Sequence, residues 1–494
     1  MKTLKHLFTA LLLLCTTAVA ANDFEVNGIY YNITDATNKT VEVTYRGTSY
    51  YSYEYTGSVV IPENVAYNGT TYSVTTIGSE AFRGCSGLES ITIPNSVTTI
   101  GNYAFYKCSS LTSITIPNSV TTIGYSAFEG CSRLNTVHIS DIAAWCNIGF
   151  GNDTANPLYY ARYLYLNNEL VTELTIPNSV TTIGDYAFRG CSSLTSVTIP
   201  NSVTTIDSYA FYNCSSLTSV TIGNSVTTIG SEAFASCSSL TSVTIGNGVT
   251  TIGIGAFESC SSLTSITIPN SVTTIGQGAF YNCSSLTSIT IPNSVTTIGN
   301  YAFYNCSSLN AVHISDIAAW CNIDFGNETA NPLYDARYLY LNNELVTELV
   351  IPNSVTTIGN YAFRYCSSLT SITIPNSVTT IGYDAFKGCS RLKAVYISDI
   401  AAWYNIDFGN DTANPLYYAK NLYLNNELVT ELVIPNSVTT IGDYAFSGCS
   451  SLTSITIPNS VTTIGSSAFK GCSSLTSITI PNSVTTIGNS AFCG

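Results

Sequence analysis

One 23-residue segment, repeated along the chain, limits the possible folds more than any other feature of this sequence. Residues 283–305 are a clean copy, C-S-S-L-T-S-I-T-I-P-N-S-V-T-T-I-G-N-Y-A-F-Y-N. Nearly everything after Thr75 repeats it with few substitutions, and its Ala-Phe pair occurs fourteen times, first as Ala81-Phe82 and last as Ala491-Phe492. Such self-similarity is typical of a solenoid, in which each repeat forms one coil stacked on the previous one. We therefore expect one repetitive domain rather than several globular ones.

The order of residues within one copy predicts the course of one coil. Apolar and polar residues alternate around Ile289, as in a short strand, and Pro292 ends the run because it has no N–H to donate. Residues 295–298 are predicted as a second extended piece, followed by a sharp turn at Gly299. From Ala302 to the next Cys we expect one helical or 3₁₀ turn. Stacked strands lie about 4.8 Å apart, so fourteen coils predict a curved rod with a ladder roughly 65–70 Å long.

The pattern L-x-x-I-x-I-P-x-x-V-x-x-I-G-x-x-A-F-x-x-C resembles the BspA-like leucine-rich repeat of surface and secreted bacterial proteins. The resemblance covers residues 58–494 and implies a β-rich (α+β) solenoid of about 14 coils. It implies a right-handed rod with a parallel β-ladder and short helical or 3₁₀ turns. The pattern departs from the ordinary leucine-rich repeat, so no asparagine ladder is expected. Some relatives are implicated in attachment to host extracellular-matrix proteins, which implies a binding or adhesion role.

The N-terminal region lacks the repeat. Residues 1–20 combine Lys2 and Lys5, an apolar stretch and Ala18-Val-Ala20, which together predict a secretory signal peptide. Residues 21–57 are predicted as a β-rich cap, with a hairpin turn at Asn27-Gly28. The solenoid is predicted to occupy residues 58–494. A second hairpin is expected at Asn68-Gly69, within its first coil. No other apolar run is long enough to predict a membrane span.

The charge balance restricts the class of partner. Only 9% of residues are charged, and 30 acidic residues against 16 basic ones give a net charge of −14. This balance argues against nucleic acid and against an anionic membrane surface as partners. An extracellular protein or a glycan is the expected ligand class.

Three long units interrupt the 23-residue period, at residues 131–190, 306–365 and 389–448. Each contains S-D-I-A-A-W, then N-P-L-Y, then L-Y-L-N-N-E-L, and Ser140-Asp141 is predicted to cap a short helix. The long units contain every tryptophan of the chain and a tyrosine after each Asn-Pro-Leu. Because aromatic anchors dominate interface energetics, we predict these as binding residues: Trp145, Trp320, Trp403, Tyr159, Tyr334 and Tyr417. The alternative is that they pack each unit onto the solenoid.

The cysteines, the histidines and the acidic segment at residues 407–411 are interpreted as structural rather than as catalytic or metal-binding residues. Most of the 17 cysteines recur at the repeat period, which predicts a column of buried free thiols, with disulfides between coils as the alternative. His138 and His313 occupy equivalent positions where the third long unit has Tyr396, so a strand-edge role is predicted rather than catalysis or metal binding. A calcium loop at residues 407–411 is weighed against an ordinary polar turn, and the turn is favoured. No C-x-x-C, nucleophile elbow or phosphate loop occurs, so we predict no enzyme, no cofactor and no metal.

The sequence thus predicts a secreted or cell-surface bacterial protein that binds host or matrix proteins through an extended repeat surface. A carbohydrate-binding protein and a structural surface-layer component are the alternatives. Long rows of Ser and Thr, such as Ser288 and Thr290, are predicted to face solvent. The final coil, ending at Phe492-Cys493-Gly494, is expected to lack an apolar cover.

Overall fold

The computed structural model describes residues 22–46 and 54–494, which divide into two compact units, one up to Leu194 and the other from Thr195 onward. The predicted signal peptide at residues 1–20 and residues 21 and 47–53 of the predicted cap lie outside the described residues. Each unit is a solenoid built from two parallel β-ladders. We call the ladder formed by the Ser-(Ile/Val)-Thr strands the first ladder and the one formed by the Thr-Ile strands the second ladder.

A regular coil follows the course predicted from its residue order. In residues 283–305 the strand Ser288–Thr290 belongs to the first ladder and Thr297–Ile298 to the second. Leu286, Ile289 and Phe303 are buried between them. Alternation within the short strands therefore decides which side chains enter the core and which Ser and Thr side chains face outward.

The predicted helical or 3₁₀ turn after Ala302 is instead a series of hydrogen-bonded turns. The N–H of Tyr304 donates to Tyr301 O at 3.1 Å, and that of Cys306 donates to Phe303 O at 3.3 Å. Tyr301 has φ +61° and Asn305 has φ +62°, both in the left-handed region. A right-handed helix cannot pass through such residues, so the corner remains a sequence of single turns. Short helices occur only in the long units of the described chain.

Successive regular coils are joined by backbone bonds and stacked rings. Phe280 N donates to Ala302 O of the next coil at 2.8 Å. The rings of Phe280 and Phe303 stack with centroids 5.3 Å apart. The hydroxyl of Thr296 donates to Thr273 O at 3.3 Å, so part of the outward threonine row also bonds coil to coil. Identical neighbours thus satisfy one another's backbone groups, as buried backbone requires.

The N-terminal unit begins with the predicted hairpin at Asn27-Gly28, whose φ angles of +54° and +81° suit a two-residue turn. The hairpin at Asn68-Gly69 is also present. Tyr55 closes the cap over the first coil, since its ring lies 4.6 Å from that of Phe82 and its hydroxyl donates to Thr44 O at 2.7 Å. The cap therefore covers the start of the phenylalanine stack.

The strands of the N-terminal unit fall into two groups. The first ladder contains Gly57–Val60, Leu88–Thr92, Ser113–Thr115, Thr136–Ile139, Tyr163–Leu166, Glu169–Leu170 and Glu173–Thr175. The second ladder and the cap contain Phe24–Val26, Ile29–Asp35, Thr40–Thr44, Asn64–Tyr67, Thr70–Ile77, Thr99–Ile100, Thr122–Ile123, Gly149–Phe150 and Thr182–Ile183. The helices are α1 (Ile142–Cys146) and α2 (Leu158–Ala161), with a 3₁₀ turn at Asp153–Ala155.

The C-terminal unit has the same arrangement. Its first ladder contains Ser196–Ile199, Ser219–Ile222, Ser242–Thr244, Ser288–Thr290, Ala311–Ile314, Leu339–Leu341, Glu344–Leu345, Glu348–Val350, Ser371–Thr373, Ala394–Ile397, Leu422–Leu424, Glu427–Leu428, Glu431–Val433 and Ser454–Thr456. Its second ladder contains Thr205–Ile206, Thr228–Ile229, Thr251–Ile252, Thr274–Ile275, Thr297–Ile298, Asp324–Phe325, Thr357–Ile358, Thr380–Ile381, Asp407–Phe408, Thr440–Ile441, Thr463–Ile464 and Thr486–Ile487. The helices are α3 (Ile317–Cys321), α4 (Leu333–Ala336), α5 (Ile400–Tyr404) and α6 (Leu416–Ala419).

Each ladder is interrupted at a long unit. In the second long unit the strand Leu339–Leu341 turns back as an antiparallel hairpin with Glu344–Leu345. A new sheet then begins at Glu348–Val350. A long unit is therefore one enlarged coil followed by a hairpin and the start of a new sheet.

Candidate functional site

Each long unit begins with a capped helix that directs a tryptophan inward. In the first unit, Asp141 Oδ1 accepts hydrogen bonds from Ala143 N at 2.7 Å and Ala144 N at 3.2 Å, which satisfies the start of α1 as predicted. This short helix places Trp145 on its buried side. Asp316 and Asp399 cap α3 and α5 in the same way.

The three tryptophans are packing residues, which corrects their predicted place on a binding surface. Trp145, Trp320 and Trp403 are each only 1% exposed. Their indole N–H groups donate to Ala187 O, Ala362 O and Ala445 O, each at 2.8 Å. A buried tryptophan is stable in the interior when its indole N–H has a hydrogen-bond acceptor. The indoles are thus turned away from any ligand.

A buried asparagine completes this arrangement, and the sequence analysis missed it. Asn331, in the Asn-Pro-Leu segment, donates to Tyr361 O at 2.9 Å and to Ala362 O at 3.1 Å, and it accepts from Leu333 N. In regular coils the carbonyl equivalent to Ala362 O receives a backbone N–H, as Ala302 O does from Phe280. The side chains of Trp320 and Asn331 therefore donate the hydrogen bonds to this carbonyl that a backbone N–H of the neighbouring coil donates in regular coils. The recurrence of both residues in all three units was the available signal.

The three predicted tyrosines are half-buried and lie beside other rings and cations. The guanidinium of Arg189 lies 4.7 Å from the ring centre of Tyr159. Lys420 Nζ lies 5.2 Å from that of Tyr417. Tyr334 packs between other tyrosines, 5.5 Å from Tyr365. Of the six predicted site residues, these three keep part of their surface in contact with solvent.

The structure reveals a second set of aromatic residues, on the outward face of the first ladder. His138 stacks on Tyr165 with ring centres 4.8 Å apart and an interplanar angle of 17°. The equivalent pairs are His313 with Tyr340 at 4.9 Å, and Tyr396 with Tyr423 at 4.9 Å. His138 lies in a strand paired on both sides, which corrects its predicted strand-edge position.

Strand register extends each pair into a row across the ladder. We call these the aromatic rows: row one is Thr115, His138, Tyr165 and Leu170; row two is Thr290, His313, Tyr340 and Leu345; row three is Val350, Thr373, Tyr396, Tyr423 and Leu428. Leu170, Leu345 and Leu428 are 42–43% exposed, and Val350 is 64% exposed. The sequence signal was the Tyr of each L-Y-L, which alternation places on the same face as the ladder threonines.

Acidic residues of the long units form ion pairs. Asp153 lies 3.3 Å from Arg189, Glu328 pairs with Arg364, and Asp411 lies 3.0 Å from Lys470. Within residues 22–46 and 54–494, no cluster of three or more His, Cys, Asp or Glu side chains could hold a metal ion. At residues 407–411 the carboxylate of Asp411 is therefore engaged by a lysine.

Within each unit most of the cysteines form a buried column of free thiols, as predicted. Among the described cysteines all are free, and all but Cys493 are buried. In regular coils each thiol donates to a phenylalanine carbonyl of the previous coil, as Cys283 does to Phe257 O at 3.2 Å. Burial raises the pKa of Cys283 from 9.0 to about 12. A neutral, inert thiol fits this position.

Comparison with known families places the repeat. The sequence pattern of the "BspA type Leucine rich repeat region" matches residues 63–147, 161–286, 227–323, 336–410 and 418–494. The chain belongs to the BspA-type leucine-rich repeat family. The predicted fold class is thereby confirmed, together with the ladders described above.

Two similar crystal structures are of bacterial leucine-rich repeat proteins. A leucine-rich repeat protein from Bacteroides ovatus ATCC 8483 is 26% identical, with 94% of this chain and 99% of that chain covered and a TM-score of 0.46. A leucine rich cell surface protein from Faecalibacterium prausnitzii A2-165 is 28% identical, with 78% and 97% covered and a TM-score of 0.39. No curated protein sequence matches the chain. In the part of the chain that the structure describes, no helix has the length and apolarity to cross a membrane.

Proposed function

We propose that this BspA-type protein is a secreted or cell-surface bacterial binding protein whose first ladder holds an extracellular protein, with host or matrix proteins as the partner class. The observation that carries the proposal is the presence of three aromatic rows on a ladder whose regular coils present Ser and Thr. Each row brings an exposed leucine and a pair of half-buried rings to the outward face.

Regular coils offer little discrimination between partners. Ser196, Thr198 and their equivalents repeat the same small hydroxyl groups from coil to coil. Aromatic anchors surrounded by small polar residues are typical of energetically dominant interface positions. The near absence of charge on the rows also matches the core of a protein interface. The rows therefore provide the selectivity that the regular coils lack.

Ring orientation favours a protein over a neutral glycan as the ligand of the rows. Within each pair the two rings cover one another, with an interplanar angle of 17° for His138 and Tyr165 and 28° for Tyr396 and Tyr423. Leu170 lies opposite Tyr165 in the strand register. Covered ring faces leave edges and aliphatic groups at the surface, which suit irregular protein side chains better than the flat face of a sugar.

The predicted signal peptide and the family support placement outside the cytoplasm. The proposed role includes no catalysis. Reproducible turnover by the mature chain in a broad hydrolase screen, abolished by one substitution, would contradict that part of the proposal.

The test replaces each stacked pair with the residue that regular coils use at the same register. The variants are His138→Thr/Tyr165→Thr, His313→Thr/Tyr340→Thr and Tyr396→Thr/Tyr423→Thr, singly and together. Threonine suits an exposed strand position, so folding should be retained. Solubilised extracellular-matrix proteins are passed over the immobilised mature chain, and the Kd of each identified binder is measured by surface plasmon resonance. We expect about tenfold weaker binding per row, since each loses an aromatic anchor.

The matched control is Tyr301→Ser, which removes an exposed tyrosine away from the rows and introduces the residue type found at Ser467. This control should bind like the unchanged chain. Unchanged affinity in the variant lacking all three pairs would overturn the proposal. Absence of any binder would favour the structural surface-layer alternative.

A further inference from the structure

The distribution of cationic side chains points to a second site, apart from the aromatic rows. The regular coils at residues 191–305 contain no Lys or Arg. Cations instead gather in the long units: Arg133 and Arg162 in the first, and Arg391, Lys393 and Lys420 in the third. In a chain of net charge −14, such local clusters are the places where an anion is attracted rather than repelled.

In the first long unit these cations line an open groove of about 620 Å³. The side chains that line it include Ser132, Arg133, Asn135, Tyr159, Tyr160 and Arg162. Both arginines are exposed, and neither pairs with a carboxylate among the described residues. The groove volume falls within the range of small-ligand sites, about 300–1,000 Å³.

Local structure holds the groove walls in place. The hydroxyl of Tyr160 accepts a hydrogen bond from Gly130 N at 3.0 Å. Arg162 ends α2 with φ +63°, and its N–H donates to Leu158 O at 3.1 Å. Tyr159 packs against Tyr160 with ring centres 4.9 Å apart. The groove is therefore formed before any ligand binds, which lowers the cost of ordering it.

The third long unit repeats the groove residues with more positive charge. Arg391, Tyr417, Tyr418 and Lys420 replace Arg133, Tyr159, Tyr160 and Arg162, and Lys393 replaces Asn135. The rings of Tyr417 and Tyr418 lie 5.1 Å apart, as in the first unit. The second long unit differs, because Ser308 and Asp335 stand where the first has Arg133 and Tyr160.

We propose that the first and third long units each bind an acidic saccharide, with the carboxylate or sulfate held by the two cations and the sugar ring against the tyrosine pair. Guanidinium groups bind carboxylate and sulfate oxygens through paired, charge-assisted hydrogen bonds. Ser132 and Asn135 can exchange hydrogen bonds with sugar hydroxyls. An acidic peptide is less suited, since Asn135 leads into the strand Thr136–Ile139, which is paired on both sides and leaves no edge for peptide addition.

The experiment measures binding of defined probes to the mature chain by calorimetry. The probes are a hyaluronan tetrasaccharide (carboxylate only), a chondroitin-4-sulfate tetrasaccharide (carboxylate and sulfate), neutral chitotetraose and an octamer of glutamate. We expect one or both acidic saccharides to bind at two sites, with the tighter site in the third unit. Affinity should fall with added salt. Comparison of the first two probes shows which anion is preferred.

Paired substitutions assign each site. Arg133→Gln/Arg162→Gln should lower the affinity of the weaker site by about tenfold or more. Arg391→Gln/Lys420→Gln should lower that of the tighter site to the same extent. The control Lys39→Gln removes an exposed cation of the N-terminal cap, and it should leave both affinities unchanged. In the second unit, Ser308→Arg/Asp335→Tyr should create a third site.

Three results would overturn the proposal: equal binding of chitotetraose, stronger binding of the glutamate octamer, or unchanged stoichiometry in both paired variants. This site is independent of the aromatic rows. Loss of saccharide binding with retained protein binding, or the reverse, therefore separates the two proposals.

Discussion

The regular coils at residues 195–305 and the long units solve the same stacking problem by different means. Each regular coil meets a near-identical copy, so backbone groups pair directly, as Phe280 N does with Ala302 O. A long unit presents an enlarged coil to a regular one, and Trp320 and Asn331 bridge the mismatch. At the alanine carbonyl, uniform coils thus pair main chain with main chain, whereas the exceptional coils depend on particular side chains.

This difference also explains where new surface arises. In uniform coils any change on the outward face would be isolated among Ser and Thr. A long unit brings its own strand, hairpin and helices, and with them an aromatic row and, in the first unit, the cationic groove. Stability in the long units therefore depends on individual residues, and both of our proposals assign recognition to the same units.

Removal of a bridging tryptophan should cause the largest loss in the free energy of unfolding. We expect Trp320→Ala to lower the free energy of unfolding by about 3–5 kcal/mol, since a fully buried ring is lost and Ala362 O loses one donor. Tyr334→Ala, at a half-buried position of the same unit, should cost markedly less. Urea unfolding, with hydrogen exchange around Ala362, measures both. Equal losses would mean that the long unit does not depend on its tryptophan bridge.

A glycine substitution should distinguish the two kinds of coil junction. A Cβ at Gly299 would lie 2.4 Å from Gln277 N of the preceding regular coil, whereas at Gly442, inside the third long unit, the nearest atom is Tyr404 O at 3.1 Å. Gly299→Ala should therefore cost about 1–3 kcal/mol, as overpacking does, and Gly442→Ala less than about 1 kcal/mol. Thermal unfolding of both variants is the measurement. A larger loss at Gly442 would reverse the comparison.

The smallest effect is expected in the cysteine column. Cys283 donates to Phe257 O, whereas Cys366, after a long unit, lies 3.7 Å from Ser368 Oγ, which has Val346 O as a second partner. We expect Cys283→Ala to cost about 1 kcal/mol and Cys366→Ala no more than that. A greater loss of stability in Cys366→Ala than in Cys283→Ala would contradict the expectation that the thiol hydrogen bond matters more between regular coils.

The same column predicts a pH dependence. Burial raises the pKa of Cys283 from 9.0 to about 12, so its contribution is fully present below pH 9 and is lost as the pH rises toward 12. Unfolding midpoints between pH 8 and 11 should fall more steeply for the unchanged chain than for Cys283→Ala. At pH 8, alkylation without reductant should label the column only after denaturation.

Much of one coil could be predicted from its residues alone. Period-2 alternation located Ser288–Thr290, Pro292 ended it, and the Thr-Ile strand followed as expected. The hairpins at Asn27-Gly28 and Asn68-Gly69 and the Asp cap of α1 were likewise local signals. The local pattern wrongly predicted a helical or 3₁₀ turn after Ala302. Residues such as Tyr301 adopt the left-handed conformation there, and no glycine in the sequence signals it.

The sequence by itself determined that this protein is a BspA-type solenoid with a cap and three exceptional units, because short-range alternation and a fixed period require no knowledge of distant contacts. Only the tertiary structure decided which aromatic residues reach the surface. Trp145, Trp320 and Trp403 resemble binding anchors in sequence, yet each finds an alanine carbonyl 42 residues away and is buried on it. His138 and Tyr165 become neighbours only because parallel register places residues 27 positions apart side by side. Burial and register depend on what the next coil presents, and the pattern within a single coil does not contain that information.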